Sequence, residues 1–266
     1  SNNIEYSIFH LMKYKTREVS CENKDYKLYG ILYLPETKDK VPLAIFSHGF
    51  GATLEVGLPY AEELASNGVA VYLFDFRGGS KKSRSGGKTT DMSVMTESSD
   101  LLAVISQAKT WDFVDTNRII LIGESQGGVV SAVTGERHPE ETVGLILLYP
   151  AFVIPDDNVK PYKSKEEVPE EKDMWNGWMT IGKVYVTDIW DYDFYGEMKH
   201  FTKPVCIIHG SKDELVKLSY SERAVECYPN AELHVIEGAD HGFKGEYVKE
   251  CNKYIIDFLK KLKFIQ

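Results

Sequence analysis

A mostly parallel β-sheet flanked by helices is the architecture this sequence predicts. Three observations carry that expectation. Strand-like and helix-like segments alternate along most of the chain. Several apolar runs, such as Leu43–Ser47, are short enough to be buried strands. The 266 residues are 43% hydrophobic and 12% aromatic, which is ample for one large core. Residues 1–266 are therefore expected to form one domain.

In order, Tyr26–Leu34 reads as a strand ended by Pro35, and Leu43–Ser47 as a second. Val56–Asn67 has helical spacing and stops at Gly68, a residue suited to a helix C-terminus. Val69–Phe74 is the next strand. The stretch 78–91 is rich in Gly, Ser and Lys and is expected to be loop. Thr96–Trp111 is helical, Arg118–Ile122 a strand, Gln126–Arg137 a helix and Val143–Leu148 a strand. The rhythm then breaks over 151–203, which carries many charges and several aromatic residues. It resumes with strands at Val205–Ile208 and Glu232–Ile236, and helices at Tyr220–Cys227 and Tyr247–Leu262. An insertion between two strands of one sheet is expected to lie as a lid over the strand C-terminal ends, where open α/β sheets bind ligands.

The formal net charge of −9 opposes binding to nucleic acid, and no basic stripe offsets it. Lys81, Lys82, Arg84 and Lys88 cluster among Gly and Ser and read as a solvated loop. No run approaches the ~20 apolar residues that span a bilayer, so no membrane partner is expected. The chain opens Ser1-Asn2 with no leader pattern, which points to the cytoplasm. Cys21, Cys206, Cys227 and Cys251 lack the spacing of a metal site or disulfide framework, and Cys206 reads as core.

The strongest chemical signal is Gly123-Glu124-Ser125-Gln126-Gly127, set between a strand and a helix. This G-x-S-x-G turn strains the serine backbone so that the hydroxyl projects from the sheet, and side chains two residues away on either side would collide. A serine needs a base. Of seven histidines, His241 lies in Gly238-Ala239-Asp240-His241-Gly242, between the last strand and the last helix, where that base belongs. His209 and His48 lie at strand ends and read as structural or turn residues, and His10, His200 and His234 have no partner pattern. The base needs a carboxylate to fix its tautomer. Asp213 follows a strand and gives the order Ser125, Asp213, His241, while Glu214 and Asp240 compete less well. An oxyanion hole needs two donors. Gln126 N–H supplies one, and Phe50 N–H, in the loop His48-Gly49-Phe50-Gly51, is the candidate for the other.

With these residues placed, the chain resembles the α/β-hydrolase superfamily over nearly its whole length. Within that superfamily it is most similar to the bacterial feruloyl (cinnamoyl) esterases, through His48-Gly49-Phe50, Gln126, Phe201-Thr202-Lys203-Pro204-Val205, His209-Gly210 with Asp213, and Ile236-Glu237-Gly238-Ala239-Asp240-His241. The resemblance implies a serine carboxylesterase acting on hydroxycinnamoyl esters, with the lid shaping the acid pocket and Tyr185 beside the substrate ring. Trp175 and Trp178 are candidate substrate contacts in the same lid, although its aromatics equally suit a small core of its own. Asp156 and Asp157 are candidates for a ring hydroxyl. Glu124 stands where those esterases carry His, Gly79 departs from their Gly-His-Gly, and the lid is otherwise poorly matched. The expected chemistry is two-step acyl transfer to water on a small-molecule ester, without metal or organic cofactor. Rival readings are a serine peptidase of the acyl-peptide or prolyl-oligopeptidase kind, an acyltransferase on the same residues, and a binding protein that keeps the fold without catalysis.

Overall fold

The computed structural model describes residues 11–266. The expectations for His10 and for a leader at Ser1-Asn2 lie outside the described residues. The main sheet has eight strands. β1 (Tyr14–Glu18), β4 (Gly30–Pro35), β5 (Val41–Ser47), β6 (Ala70–Phe74), β7 (Val114–Glu124), β8 (Leu145–Leu148), β11 (Val205–Gly210) and β12 (Ala231–Ile236) run in the order β1-β4-β6-β5-β7-β8-β11-β12. A small hairpin pairs β2 (Cys21–Asn23) with β3 (Tyr26–Leu28), and another pairs β9 (Glu171–Met174) with β10 (Met179–Gly182). In the main sheet the pairings of β1 and β6 with β4 are antiparallel; all others are parallel.

The continuous apolar runs are explained by two buried faces. Leu43 and Ile45 of β5 face one core, while Ala44 and Phe46 face the other. β8 divides the same way, with Leu145 and Leu147 against Ile146 and Leu148. The helices Val94–Ala108 and Gln126–Arg137 cover the first face, and Leu58–Ser66 and Glu246–Lys261 the second.

Strand order reverses direction at β5. The chain leaves β5 for β6 on one side and returns to β7 on the other, so a crevice opens where the two strand ends diverge. Ser47 and Gly123 are register partners at that point, and the loops that follow them meet above it.

Several elements differ from expectation. Tyr26–Leu34 is two strands in two sheets, parted at Tyr29, whose N–H donates to Ser85 Oγ at 2.9 Å. Gly30 is needed beyond the break, because a Cβ there would lie 2.0 Å from Tyr72 Oη. β1 was not foreseen. Its YKTRE sequence is nearly all exposed, as befits a charged edge strand. The helix expected from Thr96 begins at Val94, two residues early, because Ser93 and Thr96 form a reciprocal capping box. The glycine-rich loop is not merely solvated. Arg84 stacks 4.2 Å over the Tyr29 ring, Arg84 N–H donates to Asp75 Oδ2 at 3.0 Å, and Lys81 Nζ donates to Gly177 O at 3.0 Å.

The segment between β8 and β11 contains the helix Ile154–Asn158, the β9–β10 hairpin and the short helices Val184–Thr187 and Phe194–Glu197. The hairpin is stitched to the glycine-rich loop. Thr89 Oγ1 donates to Thr180 O at 2.6 Å, and a Cβ on Gly182 would sit 2.0 Å from Thr90 O. No helix among the described residues is long and apolar enough to cross a membrane. The four cysteines are free. Cys206 is fully buried, as expected of core, and its sulfur borders Glu232 and His234, of which Glu232 is neutralised by Lys261 Nζ at 3.2 Å.

Candidate active site

Ser125 sits at the junction of β7 and the helix Gln126–Arg137 with φ 53° and ψ −119°. An L-residue adopts this backbone only when its surroundings over-determine it. Here Ser125 N–H donates to Leu148 O at 2.9 Å, and its carbonyl accepts from Gly128 N–H and Ala151 N–H, both at 3.0 Å. The flanking glycines are obligatory, as the spacing predicts. A Cβ on Gly123 would lie 2.2 Å from Gly127 O, and one on Gly127 would lie 2.0 Å from Ser47 O.

Ser125 Oγ is 2.8 Å from His241 Nε2, and His241 Nδ1 is 2.7 Å from Asp213 Oδ2. The three side chains come from the ends of β7, β11 and β12, which the sheet brings together although Ser125 and His241 are 116 residues apart. Asp213 is 5% exposed, and its Oδ1 accepts from Leu215 N–H and Val216 N–H. Burial alone would raise its pKa. Hydrogen bonds from His209, His241 and the Val216 N–H outweigh that, and hold the carboxyl well below the usual carboxylate range. Asp213 is therefore ionised and accepts from Nδ1–H, which leaves His241 Nε2 as acceptor for the serine hydroxyl. The competitors Glu214 and Asp240 are exposed.

The other strand-end histidines are structural, as expected. His209 Nε2–H faces Val216 O at 2.7 Å and Asp213 Oδ2 at 3.2 Å, while its Nδ1 accepts from Ser221 Oγ at 2.7 Å. His48 Nε2 accepts from Phe76 N–H at 3.0 Å, and its Nδ1 lies 2.8 Å from Gly49 O.

The loop after β5 brings Phe50 to the same cavity as Ser125. Gly51 takes φ +67°, and its N–H donates to Gly79 O at 3.0 Å. Among the described residues, neither Phe50 N–H nor Gln126 N–H donates to a protein acceptor. Gln126 opens its helix, where backbone N–H groups have no intrahelical partner. Its side chain is clamped: Nε2 donates to Glu97 Oε1 at 2.8 Å, and Oε1 accepts from Tyr185 Oη at 2.7 Å. Glu97 is buried without a partner on Oε2, and burial pushes its carboxyl well above the usual range. Sequence reasoning missed Glu97, because nothing local ties a mid-helix glutamate to a residue 29 positions away.

A cavity of about 560 Å³ opens beside Ser125 and His241. Phe50, Trp175, Trp178, Tyr185, Ile154 and Leu215 line it, with Asp157 and Glu124 as its carboxylates. Trp175 and Trp178 are half exposed and sit at the turn of the β9–β10 hairpin. Trp178 meets Phe50 edge-on at 5.8 Å, and a Cβ on Gly51 would strike its ring at 2.5 Å. Tyr185 is almost wholly buried, with its ring edge-on to Phe50 at 5.7 Å. The aromatics of this segment thus divide: Trp175, Trp178 and Tyr185 reach the cavity, while Phe194 and Tyr195 pack into the core. Asp156 faces away, paired with Lys160 and Tyr220 Oη.

Residues 39–172, just over half of the chain, match the family model for serine aminopeptidase, S33, a family of hydrolases. The quorum-quenching protein AidA of Acinetobacter baumannii is 31% identical over 42% of this chain and 36% of its own length. The non-heme chloroperoxidase CPO-A1 of Kitasatospora aureofaciens is 35% identical over 30% of each. The match thus spans about a third of the length of those curated relatives. The solved structure of Est1E from Butyrivibrio proteoclasticus with ferulic acid bound superposes with a TM-score of 0.83, at 28% identity, over 91% of this chain and 98% of that one. The chain has the α/β-hydrolase fold, resembles the feruloyl esterases, and belongs to the serine aminopeptidase, S33, family of hydrolases.

Proposed function

We propose that this hydrolase cleaves carboxylic esters through an acyl-enzyme on Ser125, with His241 as general base and acid and Asp213 as its orienting carboxylate. The observation that carries this reading is the unbroken hydrogen-bonded chain from Asp213 through His241 to Ser125 at the mouth of an aromatic-walled cavity. Ser125 Oγ attacks the ester carbonyl as its proton passes to His241 Nε2. The Phe50 and Gln126 N–H groups receive the oxyanion. The imidazolium returns the proton to the departing alkoxide, leaving the acyl group on Ser125. A water then gives its proton to His241 and its oxygen to the acyl carbon, and the carboxylic acid leaves as Ser125 is reprotonated.

The acyl group we assign is of the hydroxycinnamoyl type, and residues 151–203 act as the lid over it. Trp175, Trp178, Tyr185 and Phe50 offer flat apolar surface to a phenylpropenoyl group, and ferulic acid is the ligand bound to Est1E. Tyr185 acts through its ring, because its hydroxyl is already given to Gln126. Asp157 faces the cavity and is available to accept from a ring hydroxyl.

The test is steady-state hydrolysis of methyl ferulate, p-nitrophenyl butyrate and a peptidyl anilide. Preference for methyl ferulate by kcat/KM is the expected result. Cleavage of the butyrate alone keeps the esterase reading and removes the hydroxycinnamoyl assignment. Cleavage of the anilide alone replaces it with a peptidase.

A further inference from the structure

The residue between Gly123 and Ser125 is a glutamate, and its side chain turns back into the site. Glu124 is the last residue of β7 and only 8% exposed. Its Oε1 accepts from the backbone N–H of Gly49, across the strand ends, at 2.5 Å. One side chain therefore ties the loop after β5 to the nucleophile turn.

Gly49 is the hinge on which the Phe50 N–H turns. It has no Cβ to restrict φ and ψ, so its orientation depends on what holds the two peptide planes that meet there. The following plane, which contains the Phe50 N–H, is held through Gly49 O by His48 Nδ1–H at 2.8 Å and Ala52 N–H at 3.2 Å. The preceding plane is held through Gly49 N–H by Glu124. The fit is tight on that side: a Cβ on Gly49 would lie 2.5 Å from Glu124 Oε1 and 3.2 Å from Ser125 Cβ. A side chain at position 49 would displace the Glu124 carboxyl from the Gly49 N–H.

We infer that Glu124 is a positioning residue for the reaction, whose carboxyl oxygen accepts from Gly49 N–H and thereby aims the adjacent Phe50 N–H at the substrate oxyanion. This inference rests on the reading of Ser125 as nucleophile. Because Glu124 neighbours Ser125 in the chain, nucleophile and oxyanion donor are held as one body at fixed separation. Glu124 touches the transition state only through Gly49 and Phe50. What matters is an acceptor at Oε1, so glutamine, which keeps a carbonyl oxygen there, preserves the function, and leucine, of similar size, removes it.

The experiment compares E124Q, E124L and Ser125→Ala with the wild type on p-nitrophenyl butyrate, resolving kcat from KM, with thermal melting as the check on folding. E124Q is expected to keep kcat within about threefold. E124L is expected to lose kcat by roughly 10–100-fold with KM within about twofold, since complete loss of one oxyanion donor costs about 10²–10³. A wild-type kcat in E124L, or equal losses in E124Q and E124L, overturns the proposal. Should E124L not melt as a folded protein, E124Q decides: an unchanged kcat supports the acceptor role, and a fall of about tenfold or more overturns it. Ser125→Ala tests the underlying reading separately. Wild-type turnover in that variant removes Ser125 as nucleophile whatever the Glu124 variants do, whereas its inactivity beside a fully active E124L leaves the nucleophile standing and removes only the role of Glu124.

Discussion

The floor and the roof of the cavity are built by different means. The floor is the set of loops at the ends of β5, β7, β11 and β12, and backbone geometry fixes it: the positive φ of Ser125, the glycine contacts that admit no Cβ, and strand register. The roof is the segment between β8 and β11. Side-chain contacts hold it, among them Tyr185 to Gln126, Lys81 to Gly177, Thr89 to Thr180 and Tyr192 to Glu136. A floor made this way tolerates almost no change, whereas each bond of the roof can be lost separately. Under the proposed function, chemistry belongs to the first and choice of acyl group to the second.

The sharpest way to break this division is at the floor. Ser125→Ala is expected to lower kcat by about 10⁶-fold, the loss typical of removing a hydrolytic serine, with melting unchanged. Retention of more than a hundredth of the wild-type rate would place the chemistry elsewhere. Asp213→Asn keeps the shape but offers an amide to Nδ1, favouring the wrong tautomer of His241, and a fall of about 10⁴-fold in kcat is expected. A fall smaller than tenfold would mean that the Asp213 carboxylate is not needed to orient His241.

The roof should answer differently. Trp178→Ala removes the ring packed on Phe50 and Gly51. It is expected to raise KM for methyl ferulate about tenfold, in line with ~1.4 kcal/mol for one lost aromatic contact, and to leave kcat on p-nitrophenyl butyrate within about twofold. Equal losses on both esters would show that Trp178 serves the floor.

The smallest effect concerns the join between floor and roof. Glu136, on the helix that follows Ser125, accepts from Tyr192 Oη at 2.8 Å and Tyr228 Oη at 3.0 Å. Burial pushes its carboxyl up to about 8, with the two tyrosine hydrogen bonds pulling the other way. The folded state thus holds a proton that the unfolded chain releases near 4.5. Its contribution to stability is full below that value and is lost as pH rises through about 8. Glu136→Gln should flatten this part of the melting-temperature profile. A profile of unchanged slope would mean that Glu136 is ionised in the folded protein.

What could be read in the sequence follows the same division. The parallel strands were legible because burial on both faces leaves continuous apolar runs; Ser125 and His241 were legible because glycines within two residues of Ser125 and beside His241 mark a sharp strand-end turn, and Asp213 because it follows a strand and completes the order Ser125, Asp213, His241. Edge strand β1 was not, since its charged residues carry no apolar signal. The β9–β10 hairpin was not either: its strands hold Glu171, Lys172 and Asp173, and what fixes them, Thr89 and Lys81, lies some 90 residues earlier. Tyr185 was placed near the cavity by resemblance alone, and nothing local discloses that its hydroxyl belongs to Gln126. Glu124 was visible only as a departure from the expected His. The contact that gives it a role joins residues 75 apart.

The central claim is that Ser125 is the one covalent nucleophile. The direct measurement is intact and peptide mass spectrometry after reaction with a fluorophosphonate. A single adduct is expected, on the peptide that contains Ser125, absent from Ser125→Ala and formed at least about 100-fold more slowly in His241→Ala. An adduct on another residue, or a wild-type protein that stays unlabelled while it hydrolyses p-nitrophenyl butyrate, would contradict it.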